Sequence, residues 1–380
     1  MSVPATERPV AWWIFPTVPV VAAAVAFAWT LNAELTRMYG MSSPAGDLAY
    51  DQQIVWSISN ANFLGIHLEL ILVVLAAVER LWPSPAVLLI FSAAGVAATA
   101  PAAYLFLRAL LQADRSESPW VAVALSAPIP FWAAVDLSDS ENIALPLALL
   151  AAWAGLRGRR VAMWILCALV LICREDQAYT VGIIGILMGA YGAPEVRKQW
   201  RPVVYLAVAW FLISVAIVHR DEPTVLTLLF TLIVAAGVGA RKYLEMRSIR
   251  PAAALLLILP ALLLAWGIGR IPPALGAEPG AYSQPNAVAE LRRATDMIPA
   301  DAPVNADAGL TVWLANRNTI NDFPDMLAST SYVVIDREAY LNGQTAPNLR
   351  KAAIDALPDS GRSVLFDDGR FQVWGPVGGD

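Results

Sequence analysis

Charge is scarce in this sequence. Only 15% of its 380 residues are Asp, Glu, Lys or Arg, whereas 58% are apolar and the mean hydropathy is +0.56. Soluble domains average about 25% charged residues. The composition therefore excludes an ordinary soluble protein and indicates a chain that lies in a lipid bilayer.

Cysteine is scarce, and glycine-rich motifs are lacking. The two cysteines, Cys167 and Cys173, lie six residues apart in one apolar run, so they do not face each other on a helix and cannot staple two loops. No glycine-rich phosphate loop opens a helix, which excludes the usual nucleotide-binding fingerprint. The sequence shows no convincing internal repeat of the kind that is common in transporters.

The sequence contains several long apolar runs. A spanning helix needs about 20 mostly apolar residues. The first run is longer than the core of a signal peptide, so we expect it to stay in the chain as the first span. The sequence predicts an all-α polytopic membrane domain with nine spans, at roughly 11–32, 85–107, 119–136, 142–156, 161–174, 177–193, 202–218, 224–240 and 252–269.

The cations indicate which face is cytoplasmic. They are Arg108, Arg115, Arg157, Arg159, Arg160, Arg197, Lys198, Arg201, Arg241, Lys242, Arg247 and Arg250. Arg and Lys in short connections favour the cytoplasmic side, and here they fall at alternate connections. This alternation predicts a cytoplasmic N-terminus and places the acidic connections on the outer face.

Residues 63–83 do not fit this alternation. The run is apolar, but a full crossing there is incompatible with a cytoplasmic N-terminus and a cytoplasmic Arg108. The sequence thus predicts a re-entrant or interfacial helix in the first outer loop, packed against protein. The alternative is an outward N-terminus with one more crossing, which would put Asp47 and Asp51 on the cytoplasmic side.

A second domain is expected at 276–380, after a membrane domain at 1–275, because charged residues reappear there at the density of soluble proteins. The sequence has helical spacing at 287–298 and 348–357, leads through Pro299 into 302–306, and has strand patterns at 331–335, 363–366 and 371–374. The turn Asp367-Asp368-Gly369 joins the last two strands. The alternation predicts a small α/β domain, which an odd number of spans places outside the cell.

Three acidic clusters beside the apolar runs lie where charge is costly, which suggests function. The first contains Asp47 and Asp51, which would share one face of a helix. The second contains Asp136, Asp139 and Glu141, a like-charge group that Mg²⁺ or Mn²⁺ would relieve. A carboxylate at a helix N-terminus is also favoured by the helix dipole, which is the structural alternative for the second cluster.

The third cluster is Arg174-Glu175-Asp176, and His67 is a separate candidate. Arg174-Glu175-Asp176 interrupts an apolar stretch, and the planar guanidinium of Arg174 suits a phosphate group. The alternative is an ion pair needed only for folding. His67 lies at the entrance of the predicted re-entrant helix, where it could bind phosphate, ligate a metal or shuttle a proton, or be an ordinary interfacial residue.

These motifs resemble a known family in order and spacing. They are Gly46-Asp47-Leu48-Ala49-Tyr50-Asp51-Gln52-Gln53-Ile54-Val55-Trp56, Leu64-Gly65-Ile66-His67, Ser140-Glu141-Asn142-Ile143-Ala144-Leu145-Pro146 and Arg174-Glu175-Asp176. Over most of residues 40–220 the chain resembles the bacterial membrane family known as domain of unknown function 2079, and its tail is similar to that family's C-terminal segment. The resemblance implies a plasma-membrane relative of the GT-C glycosyltransferases, which take sugars from polyprenyl-phosphate carriers on the outer face.

The resemblance also implies residue roles. GT-C relatives carry the catalytic acid in the first outer loop, so Asp47 becomes the preferred general base and Asp51 the second choice. The substrate-binding candidates are His67, Glu141, Arg174, Glu175 and Asp176, and the metal candidates are Asp139 and Glu141.

The expected activity is transfer of a sugar from a polyprenyl-phosphate donor to a cell-envelope acceptor. The expected partners are these two substrates and the lipid bilayer, and not nucleic acid. One alternative is a transporter or flippase for a lipid-linked or small polar substrate, with intramembrane acids as ion or proton relays. Another is an inactive scaffold. The clustering of the acids at one face favours a one-sided active site.

Overall fold

The computed structural model of the chain is mostly helical, with a small β-sheet towards the C-terminus. It describes residues 14–41, 46–58, 68–110, 122–123, 126–127, 129–130, 140–218, 287–324, 331–338 and 347–377. The expected spans at 224–240 and 252–269 lie outside the described residues, as does most of the span expected at 119–136.

The helices before residue 219 follow the apolar runs and the predicted first outer loop. They are α1 (Ile14–Tyr39), α2 (Gly46–Ser57), α3 (Ile71–Glu79), α4 (Ala86–Leu110), α5 (Glu141–Leu156), α6 (Arg160–Leu171), α7 (Gln177–Tyr191), α8 (Pro194–Arg197) and α9 (Trp200–Val218). Among the described residues, three segments are long and apolar enough to cross a membrane: Pro16–Tyr39, Ala86–Leu110 and Trp200–Ile217. They support the membrane assignment.

Three more predicted spans are helical but short. Helices α5, α6 and α7 have 16, 12 and 15 residues. At about 1.5 Å per residue they are roughly 18–24 Å long, less than the ~30 Å hydrocarbon core of a bilayer. A total of nine crossings therefore stays a prediction.

Helix α1 runs further than its apolar run indicated. The predicted span ended at residue 32, where Asn32 begins a more polar segment, but the helix continues to Tyr39. The added residues include Ala33, Glu34, Leu35 and Met38, all good helix formers. Helix propensity thus carries the helix past the end of the hydrophobic stretch and brings Glu34 within it.

Helix α3 is a short helix within the predicted re-entrant or interfacial segment. Its nine residues span about 13 Å, too little to cross a bilayer. Leu72, Leu75, Ala76 and Glu79 are buried on one side, so this face packs against protein.

The described residues divide into two compact units by their contacts. One contains the described parts of Met1–Trp29, Ala93–Trp132 and Glu141–Gly269, and the other those of Thr30–Ser92, Ala133–Ser140 and Arg270–Asp380. In the first unit, α5 packs along α6 and α7 packs along α9. Their core includes the fully buried Met163, Cys167, Val181 and Met188.

The sheet of the second unit has five strands in a mixed arrangement. The C-terminal elements are α10 (Ala287–Thr295), β1 (Val304–Ala306), α11 (Ala308–Leu314), β2 (Ile320–Asp322), β3 (Tyr332–Asp336), α12 (Pro347–Ala356), β4 (Arg362–Asp367) and β5 (Phe371–Pro376). The strand order is β2-β1-β3-β5-β4. Strand β1 pairs in parallel with β2 and β3, whereas β5 pairs antiparallel with β3 and β4. A small C-terminal domain with a sheet is confirmed, whereas its start at residue 276 and its place outside the cell stay predictions.

The turn between β4 and β5 is built by its acidic residues. Asp368 Oδ1 accepts hydrogen bonds from the backbone N–H groups of Arg370 and Phe371 at 3.0 and 2.7 Å, and Gly369 has a φ of +95°, which favours glycine. The N–H of Gly369 donates to Asp367 Oδ1 at 3.0 Å. This hydrogen bond, together with the nearby Arg337, lowers the pKa of the Asp367 carboxyl.

Two buried ion pairs join α12 and the residue before β5 to the ends of strands β1 and β3. The guanidinium of Arg350 donates to both carboxylate oxygens of Asp307 at 2.8 and 2.7 Å, and that of Arg370 donates to both oxygens of Asp336 at 3.2 and 3.1 Å. Burial raises the pKa of the Asp307 carboxyl, and the hydrogen bonds from Arg350 act in the opposite direction. Both carboxylates are used within the domain, which indicates a structural role.

Candidate functional site

The segment after α1 forms a helix at the acidic pair, as the shared-face hypothesis required. Asp47 is the second residue of α2 and Asp51 lies one turn later. The side chain of Asp47 is outside the described residues, whereas Asp51 is buried, with 5% of its surface exposed.

Two glutamines follow Asp51 and fix the helix on both sides. The Gln52 side chain amide donates to Glu79 Oε1 of α3 at 2.6 Å and to Asn316 Oδ1 at 3.0 Å. The Gln53 amide donates to the carbonyl oxygens of Arg317 and Asn318, each at 3.1 Å. Helix α2 is thereby held between α3 and the segment that follows α11.

Two glutamates are functional candidates that the sequence analysis did not select. Glu34 in α1 is fully buried and accepts a hydrogen bond from the Ser92 hydroxyl of α4 at 3.1 Å. Its second carboxylate oxygen has no hydrogen-bond partner among the described residues. A polar residue inside a spanning helix was the available signal, but the predicted span stopped two residues before it.

Glu69 is the second of these candidates, and it links two of the predicted motifs. It accepts a hydrogen bond from the Ser140 hydroxyl at 3.0 Å. Glu69 follows His67 by two positions and Ser140 follows Asp139 directly. The sequence separation of 71 residues gave no indication of this pairing.

The third cluster forms ion pairs at the ends of three apolar helices. Arg174 follows α6, and its guanidinium lies 3.2 Å from Glu141, the first residue of α5, and 3.3 Å from Asp176, which precedes α7. The side chains of Arg174, Glu141 and Asp176 are 23, 42 and 34% exposed. Glu175 is buried. The ion pairs thus bring together three of the predicted substrate-binding positions, Glu141, Arg174 and Asp176, with solvent access to the guanidinium.

Two predicted site residues, His67 and Asp139, lie outside the described residues. Within the part of the chain that the structure describes, no group of three or more His, Cys, Asp or Glu side chains could hold a metal ion. Glu141, the described member of the predicted metal pair, contacts Arg174. A divalent cation at Asp139 and Glu141 stays a prediction.

A comparison with known families covers all of the predicted site residues. The family described as "Predicted membrane protein (DUF2079)" matches residues 36–235, more than half of the chain. The chain belongs to this family. The match extends from the last turns of α1 through α2 to α9 and includes every predicted site residue, and it ends before the C-terminal domain.

No curated protein and no solved structure matches the chain. The family match confirms the expected membership and supports a membrane protein. Its description attaches no reaction to these residues.

Proposed function

We propose that this membrane protein is a glycosyltransferase that moves a sugar from a polyprenyl-phosphate donor to a hydroxyl of a cell-envelope acceptor on the outer face of a bacterial plasma membrane. The observation that carries the proposal is the pair Asp47 and Asp51, one turn apart on a helix of the first outer loop. This is the place where the resemblance to GT-C enzymes puts the catalytic acid.

The reaction needs one proton acceptor and one phosphate-binding group. The acceptor oxygen bonds to the anomeric carbon of the sugar while its proton passes to the Asp47 carboxylate. The bond between the anomeric carbon and the phosphate oxygen breaks, and the electron pair leaves with polyprenyl phosphate. Arg174 is assigned to phosphate because its guanidinium is charged, planar and 23% exposed.

The test uses the purified protein in lipid vesicles with a radiolabelled polyprenyl-phosphate sugar. Asp47→Asn removes the proton acceptor with little change in size, and we expect kcat to fall about 100-fold or more while the KM of the donor stays similar. Asp355→Asn, an exposed acid on α12, is the matched control and keeps full activity. Equal turnover by wild type and by both Asp47→Asn and Asp51→Asn would show that neither acid is the base.

A second candidate, transport of a polar substrate, is favoured by Glu34. Glu34 is fully buried in a helix long and apolar enough to cross a membrane, and one of its carboxylate oxygens has no hydrogen-bond partner among the described residues. Acids of this kind are common in proton relays. The same vesicles distinguish the two functions. Uptake of substrate driven by a proton gradient, lost in Glu34→Gln and unaccompanied by sugar transfer, would replace the glycosyltransferase assignment with a transporter.

A further inference from the structure

The apolar core of the C-terminal domain includes a residue from the first loop. Met41, two residues after the end of α1, is 4% exposed and belongs to the same buried cluster as Leu291, Leu310 and Phe371. These partners come from α10, α11 and β5. The C-terminal domain is thus packed around the chain as it leaves α1.

Two further contacts hold α11 against this segment. The backbone of Gly309 lies so close to the Met41 carbonyl that a Cβ at this position would overlap it. The rings of Tyr39 and Trp313 are 5.4 Å apart between centroids and tilted by 50°, a favourable aromatic geometry. These contacts require glycine and an aromatic residue on α11 at the positions that meet the end of α1.

Gln52 is the point at which three elements meet. It is 1% exposed, and its amide nitrogen donates both to Glu79 of α3 and to Asn316 after α11. A buried amide of this kind is oriented by its partners because losing one leaves a polar group unsatisfied. Gln52 therefore fixes the rotation of α2 about its axis.

The segment that receives Gln53 is itself anchored. Arg317 is 8% exposed, and its guanidinium donates to the carbonyl oxygens of Leu314 at 2.8 Å and Ala302 at 3.3 Å. Its backbone carbonyl, and that of Asn318, accept the Gln53 amide. The C-terminal domain thus presents fixed acceptors to α2.

We propose that the C-terminal domain is a positioning module for α2, with Gln52 and Gln53 as its positioning residues. The inference rests on the proposed function, in which Asp47 and Asp51 on α2 are the catalytic acids. Asp51 directly precedes Gln52, so a small rotation of α2 would move the acids away from the acceptor hydroxyl. Displacement of a reacting group by about 1 Å can reduce the rate about 100-fold.

A charge swap between α2 and α3 tests the positioning role. Gln52→Glu puts a carboxylate against Glu79, and we expect kcat to fall about 10- to 100-fold with little change in the KM of the donor. In the double variant Gln52→Glu with Glu79→Gln, the amide and the carboxylate exchange places, and kcat recovers to within about threefold of wild type. Gln199→Ala, between α8 and α9, is the control and leaves kcat unchanged.

A cross-linking experiment gives a readout that does not depend on activity. With Cys167 and Cys173 replaced by alanine, Gln53→Cys and Asn318→Cys should be joined by a short bis-maleimide in intact vesicles. The control pair is Gln53→Cys with Asp359→Cys. Asp359 lies beside β4, at the sheet edge opposite β2, and four strand spacings separate those edges by about 19 Å.

The outcomes separate the two proposals. We expect the yield of the cross-link between positions 53 and 318 to fall about tenfold in Gln52→Glu and to return in the charge swap. This result supports the positioning module even if the wild type transfers no sugar. Absence of the 53–318 cross-link, or equal yields for both cysteine pairs, overturns it. A normal kcat in Gln52→Glu also overturns it, provided that Asp47→Asn is inactive in the same assay.

Discussion

At the scale of single residues, three glutamates of the second unit accept hydrogen bonds from neutral donors. Glu34, Glu69 and Glu79 accept hydrogen bonds from Ser92, Ser140 and Gln52, respectively. Burying a carboxylate is costly, and hydrogen-bond donors reduce that cost. The Arg174 cluster of the first unit instead neutralises its acids with a cation.

Gly309 should tolerate no side chain. In Gly309→Ala the new methyl group meets the backbone carbonyl of Met41, which cannot move as a side chain can, so we expect a loss of about 1–3 kcal/mol in stability. Thermal unfolding of the purified protein measures the change. Gly182→Ala on α7 is the matched control, because its Cβ would have only an ordinary contact, 3.9 Å from Ala207. A stable Gly309→Ala protein would mean that the first loop and α11 are not in contact.

Asp367 should make stability depend on pH in the acid range. In the folded protein the pKa of the Asp367 carboxyl is lowered, chiefly by the Gly369 N–H and also by Arg337. Asp367 therefore contributes to the free energy of unfolding above its unfolded pKa of about 3.9. This contribution is lost as the pH falls through the lower pKa of the folded protein. Asp367→Asn should therefore lower the melting temperature at pH 7, and the difference should vanish at pH values well below 4. Asp301→Asn, an exposed acid before β1, is the comparison. A difference in melting temperature between wild type and Asp367→Asn that grows as the pH falls would contradict this prediction.

At the scale of elements, regular patterns were predicted well and short ones were not. The expected runs at 142–156, 177–193 and 202–218 became α5, α7 and α9 with ends shifted by at most two residues. The hairpin of β4 and β5 follows from its strand pattern and turn residues. Helix α11 and strand β2 have seven and three residues and were not predicted, because so few residues carry no readable periodicity and tertiary packing decides their form.

Helix α3 should lie in the membrane interface. Its protein-facing side is buried, whereas Val73 and Val74 are 43 and 53% exposed, and Leu81 and Trp82 continue the exposed apolar surface. Tryptophan next to a short apolar helix is typical of the boundary between lipid and water. A nitroxide at Val74→Cys should show high collision with oxygen and low collision with a nickel chelate, the signature of lipid contact.

The control for this measurement is a nitroxide at Leu349→Cys. Leu349 is 64% exposed on α12 of the C-terminal domain, and the label there should report water. Equal accessibility to the nickel chelate at positions 74 and 349 would place α3 in solvent and remove its interfacial role.

At the scale of the whole molecule, the contacts of α2 constrain the membrane topology. Gln53 bonds to the segment after α11, so we expect the loop after α1 and the C-terminal domain to lie on one membrane face. The number of crossings between them is then even. Eight apolar runs are predicted between residues 85 and 269, and a crossing by α3 would make the count odd. The contact therefore favours an α3 that does not cross.

Cysteine labelling with a membrane-impermeant maleimide tests this topology. Arg80→Cys after α3 and Asp359→Cys after α12, both exposed, should react from the outer side of right-side-out vesicles. Lys198→Cys, in a predicted cytoplasmic connection, should react only after the vesicles are opened. Labelling of positions 80 and 359 from opposite sides would be incompatible with the contact between α2 and the C-terminal domain.

The sequence by itself determined the membrane class, most of the helices, the α/β character of the C-terminal domain and the family. These depend on composition, periodicity and local motifs, which are properties of neighbouring residues. Only the tertiary structure decided that Gln52 meets both Glu79 and Asn316, and that Met41 completes the core of the C-terminal domain. These partners are far apart in the chain, and one sequence carries no local signal for which distant side chain will satisfy a buried amide or fill an apolar gap.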